Sequence, residues 1–180
     1  MRRRALLRTA PLALLSSIAG CSSRGNTDVE MDRGRARLHP ATDRYVANGL
    51  QPNGDDRLFV AAVPDEAPSR VGPDATDSIA EALQYAGNDQ FHLVVQLRST
   101  PDGPMELWPA VRDPFEWTTQ SALRVTVDVE PWGSLDRVDD EDRRKRLATA
   151  NELVWTAVWS LTPNVEDLPD DVELVLDSRH

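Results

Sequence analysis

Residues 139–161 read DDEDRRKRLATANELVWTAVWSL, and the conformation assigned to them decides the fold. At helical spacing the opening charges form four acid-to-base pairs: Asp139–Arg143, Asp140–Arg144, Glu141–Lys145 and Asp142–Arg146. Each has its acid on the N-terminal side, the favourable order, and contributes about 0.2–0.5 kcal/mol. The acids also suit the positive end of a helix. Further along, Leu147, Ala150, Leu153, Val154, Ala157, Val158 and Leu161 fall on one broad apolar face, widened by Trp155 and Trp159. The pattern predicts a single helix over Asp139–Leu161, covered on more than one side. Cover for the two tryptophans must come from the 99–121 connection, the segment before residue 57, or another protein.

Outward from this stretch, strands are legible. Arg57–Val63 is a continuous apolar run and predicts a central strand buried on both faces. Phe91–Arg98 alternates, with His92, Gln96 and Arg98 on a solvent face. Leu123–Glu130 alternates more cleanly: Leu123, Val125, Val127 and Val129 point in, Arg124, Thr126, Asp128 and Glu130 out. Val172–Leu176 repeats the pattern, and Met105–Val111 reads as an edge strand because Pro109 cannot serve a central ladder. A shorter helix over Thr76–Ala86 carries Ile79, Ala82, Leu83 and Ala86 on one face and stops at Gly87-Asn88. The expectation is an α+β, two-layer sandwich, a mostly antiparallel sheet with two helices on one face. Its order matches the βαββαβ of ferredoxin-like folds, with an enlarged connection between the second and third strands.

The chain begins MRRRALLRTAPLALLSSIAGC. A positive start, a short interrupted apolar run and small residues before Cys21 have the form of a secretory signal peptide. Ile18-Ala19-Gly20-Cys21 resembles the lipobox of prokaryotic lipoproteins, and the leading arginines resemble a twin-arginine export signal that lacks its usual flanking polar residues. The lipoprotein resemblance implies cleavage before Cys21, lipid on its thiol, and anchorage to the outer face of the cytoplasmic membrane. Two acyl chains make such an anchor stable where one is marginal. On this reading residues 1–20 are the signal, 21–56 a lipid-anchored tether and lead-in, and 57–180 a single globular domain. Cys21 is the only cysteine, so neither a disulfide nor a cysteine–metal framework is expected in the mature fold.

The chain holds 20 basic and 30 acidic residues, a formal charge of −10. Removing residues 1–20 takes away four arginines and no acid, which leaves −14. Lys145 is the only lysine. The bias resembles that of proteins from salt-loving archaea, whose surface carboxylates stay hydrated in concentrated salt. Nucleic acid is excluded as a partner, because it needs a basic footprint. The acid pairs Asp55-Asp56, Asp139-Asp140 and Asp170-Asp171 lack EF-hand spacing and read as solvated surface. No metal or cofactor site is expected.

No nucleophile elbow or zinc-protease motif is present in the sequence. Of the three histidines, His39 falls in the tether and His180 at the last position. That leaves His92, with Asp128 or Glu130 on a neighbouring strand, as either a cross-strand charge pair or a carboxylate-oriented base. Residues 101–117, PDGPMELWPAVRDPFEW, combine four prolines with Trp108, Phe115 and Trp117, and Trp132 follows the next strand. These aromatics form either a stiff recognition loop or the cover over Trp155 and Trp159. The function expected is that of a surface-tethered, non-enzymatic binding module of the cell envelope, its partner an envelope protein or a glycan. The alternatives are a metal- or carboxylate-dependent extracellular hydrolase and a structural accessory subunit of an envelope complex.

Overall fold

A computed structural model describes residues 29–63, 67–84, 90–110, 114–163 and 169–178. In chain order the elements are β1 (Val29–Pro40), β2 (Leu58–Val63), α1 (Asp77–Gln84), β3 (Phe91–Ser99), β4 (Met105–Pro109) and β5 (Phe115–Trp117). Then come β6 (Ala122–Pro131), α2 (Glu141–Thr149), β7 (Leu153–Pro163) and β8 (Asp171–Ser178). The fold is the expected α+β, two-layer sandwich with mostly antiparallel strands. Its order, however, is not βαββαβ.

The difference lies in residues 139–161. The helix is real but stops at Thr149, and residues 153–163 form a strand in the middle of a sheet. Asp140 caps the helix as expected, its Oδ1 accepting the Arg143 backbone N–H at 2.9 Å. In β7 the odd positions Leu153, Trp155, Ala157, Trp159 and Leu161 enter the main core, while Val158 joins a separate cluster on the other face. Residues four apart share a face in a strand as well as in a helix, so Trp155 and Trp159 fit both periods. The β-branched and aromatic content of VWTAVW favours the strand.

The first sheet runs β1-β7-β3-β2, antiparallel throughout. The second is built on β6, with β4 and β5 antiparallel along one side and β8 parallel along the other. Leu38, Leu93, Val95 and Trp159 from the first sheet meet Leu107, Phe115, Val125 and Val127 from the second in one core. Each such fully buried side chain stabilises the fold by roughly 1.5–3 kcal/mol. The second cover for the tryptophans is therefore the second sheet. On the far side of the first sheet, Ile79 and Leu83 of α1 pack with Tyr45 and Val46 on Val94 and Val158. Leu147 of α2 joins the main core.

Three further expectations are corrected. Residues 29–56 are not a tether: β1 pairs with β7 along its whole length, so the folded unit begins well before residue 57. β2 is an edge strand rather than a central one, since an unbroken apolar run carries no information about its neighbours. β3 has no wet face, because α1 and the β1–β2 connection cover it and Phe91–Gln96 are all buried. The signal sequence, Cys21 and His180 lie outside the described residues. No helix among the described residues is long and apolar enough to cross a membrane.

Candidate functional site

His92 is fully buried on the outer face of the first sheet, its Nδ1 3.0 Å from Ser160 Oγ. Asp128 and Glu130 belong to β6, on the side of the second sheet turned away from the core. The main core separates them from His92, so the expected base and carboxylate are not brought together. Among the described residues no group of three histidine, cysteine or acid side chains is arranged to hold a metal.

His39, dismissed by its place in the sequence, is instead the end of a buried polar chain. Leu50 N–H donates to Gln96 Oε1 at 2.9 Å, and Gln96 Nε2 donates to Thr156 Oγ1 at 2.7 Å. His39 Nε2 lies 2.8 Å from Thr156 Oγ1, and Nδ1 lies 2.9 Å from the Pro40 carbonyl. A carbonyl only accepts, so Nδ1 carries the proton and Nε2 accepts from the threonine hydroxyl. This arrangement fixes a neutral imidazole, stacked on the Tyr45 ring at 3.8 Å. Burial is the main cause that lowers its pKa to about 4. A Cβ at Gly49 would collide with Gln96 Oε1, which is why a glycine precedes Leu50. Every group in the chain is satisfied and enclosed, so it locks the β1–β2 connection onto the sheet and offers nothing to a ligand. Gln96 and Thr156 were missed because a polar residue inside a two-sided strand has the same sequence signature as one facing water.

The aromatic residues divide. Phe115 is buried in the main core, and Trp117 packs against it with its indole N–H enclosed and without a hydrogen-bond partner. Trp132 tilts against Trp155 with ring centroids 5.8 Å apart. Phe115 is buried cover, and Trp117 and Trp132 are half-buried against the same core. Trp108 is different: it is 48% exposed, on an edge strand whose next inward residue, Leu107, is fully buried. Register places Trp108 opposite Asp128 and Glu106 opposite Glu130, all on the outward face. Burial raises the pKa of Glu106; a hydrogen bond from Trp108 and the charge of Arg137 oppose the rise, while Glu130 adds to it. The arrangement is an open indole on a rigid strand, with the half-buried carboxylates of Glu106 and Glu130 beside it and Asp128 buried opposite it. It can stack a flat or polyol ligand and bind its hydroxyls. Comparison with protein-family models, with curated proteins and with solved structures finds no match for this chain.

Proposed function

We propose that this chain is a lipid-anchored, non-enzymatic binding module of the cell envelope, and that its ligand-facing surface centres on Trp108. The observation that supports this most is the exposure of that one indole while Phe115, Trp117 and Trp132 are taken into packing. Burying an indole half-open to water supplies a large share of a small interface's energy. An envelope glycan fits the surface well, because carboxylates beside an aromatic face match ring hydroxyls beside a C–H face. Anchorage at Cys21 and a halophilic solvent belong to the same proposal, supported by the IAGC motif and by the excess of acids.

Native mass spectrometry of protein extracted from its own membranes in high salt tests the reading. A lipid-sized mass and a co-purifying glycan or protein that Trp108→Ala loses, at unchanged melting temperature, supports it. A partner retained by the Trp108→Ala variant points to the accessory-subunit alternative. Replacing Cys21 with Ser is expected to release the protein from the membrane fraction.

A further inference from the structure

At the C-terminal end of β1 a cleft of about 270 Å³ opens between that strand and α2. Arg37 reaches it from β1, Arg143 from α2, and Tyr45 from the connection after β1. Both arginines are half-buried, and neither forms an ion pair with a carboxylate among the described residues. Three acids, Asp43, Asp140 and Asp142, also line the cleft, and among the described residues none is within ion-pair distance of either guanidinium, although the charge of Asp140 acts on Arg143. Asp43 has both oxygens on Arg146, at 3.0 and 2.9 Å, and Asp140 is spent on the Arg143 backbone N–H. One Arg143 nitrogen donates to the Leu38 carbonyl at 3.1 Å, which aims the guanidinium back towards β1. Arg37 interacts with the Tyr45 hydroxyl, yet its Nε is enclosed without a hydrogen-bond partner.

Two half-buried guanidiniums facing one hollow with no carboxylate in ion-pair contact are an unusual arrangement in a chain of charge −10. Their mutual repulsion is felt at Arg143, whose pKa is lowered first by burial and then by Arg37. We propose that Arg37 and Arg143, with the Tyr45 hydroxyl, form a subsite for a single oxyanion, a carboxylate or a phosphate group. Paired guanidinium forks match the oxygens of either group, and such charge-assisted bonds are about twice as strong as neutral ones. The acidic remainder of the surface repels a polyanion, so the ligand presents one anionic group to the cleft. A second hollow, of about 360 Å³, shares Pro40 and Arg146 with the first and has room for the uncharged remainder. This subsite lies by β1 and α2, apart from Trp108, and stands or falls independently of the envelope-ligand proposal.

The test is nuclear magnetic resonance of arginine Nε–H groups in the full chain, titrated with sodium phosphate, sodium acetate and sodium chloride at matched ionic strength. The expected result is a saturable shift at Arg37 and Arg143 with phosphate or acetate and none with chloride. Saturation at lower phosphate than acetate assigns a phosphate-bearing ligand, and the reverse assigns a carboxylate. Arg37→Gln is expected to weaken binding about tenfold or more at unchanged melting temperature. Should that variant lose stability, Arg37→Lys keeps charge and packing while losing the fork, and the same weakening is read there. Shifts that stay linear and match those of chloride overturn the proposal, as does unaltered binding in the folded Arg37 variant.

Discussion

Thr156 on β7 and Thr126 on β6 hold comparable places, each on the outward face of a strand with neighbours on both sides. Thr156 is fully buried, whereas Thr126 is half-exposed. The contrast comes from what lies above each sheet. Over the first sheet, α1 and residues 41–56 close down, and every polar group they enclose must find a partner inside the protein. Over the second, outward polar groups such as Arg124 keep contact with water. The same residue type therefore has a structural role on one sheet and almost none on the other.

Replacing each threonine with valine, which keeps the shape and removes the hydroxyl, is the most direct way to break this comparison. Thr156→Val leaves the His39 Nε2 and Gln96 amide positions without their partner. At about 1–3 kcal/mol for each orphaned buried group, a loss of about 4 kcal/mol is expected. Thr126→Val is expected to change stability by less than about 0.5 kcal/mol. Urea unfolding in the same buffer reads both, and equal losses would show that the enclosed chain is no more important than the open face.

Protonation sharpens the contrast from another side. His39 is held neutral in the fold with a pKa of about 4, against 6.5 when unfolded. Its contribution is complete above pH 6.5, falls as the unfolded state takes up the proton, and is lost by about pH 4. Two and a half pKa units correspond to about 3 kcal/mol. Carboxylates elsewhere also titrate, so the quantity to measure is the stability difference between the native chain and His39→Gln. That difference is expected to shrink by about 3 kcal/mol between pH 7.5 and 4. A difference independent of pH would mean that the imidazole is not enclosed as described.

The same division explains what could be read in advance. β6 has one face in the core and one that is open to water at Arg124, Thr126 and Glu130, so its alternation is plain in the sequence and Leu123, Val125, Val127 and Val129 point inward. β4 was legible as an edge because of Pro109. β7 is enclosed on both faces, so hydrophobicity no longer alternates, and Trp155 and Trp159 satisfied the helical period as readily as the strand's. β1 was hidden for the opposite reason. Charged Arg33 and Arg35 are exposed at the sheet edge, which makes this strand look like a linker although it pairs over twelve residues. The histidines follow their strands: on sequence alone the alternation of β3 puts His92 in water, and the charged β1 makes His39 read as part of a tether. Of the candidate binding residues Trp108 is the most open, while Trp117 and Trp132 are half-buried and Phe115 is buried, and composition alone could not separate them.

The smallest effect is expected where the second sheet meets water. Arg124 reaches Glu116 on β5 at 3.2 Å and Glu173 on β8 at 2.9 Å, bridging the two strands that flank β6. The pairs are largely open to solvent, where attraction is weak and ordering two long side chains offsets much of it. Arg124→Ala is therefore expected to lower the melting temperature slightly in dilute buffer and not at all in molar salt, where the screening length falls to about 3 Å. The Thr156→Val loss, arising from enclosed hydrogen bonds, has no such screening and is expected to persist across the same salt series. If the Arg124 effect also survived molar salt, the bridge would be acting as an enclosed contact, and the division between a sealed and an open outer face would have to be redrawn.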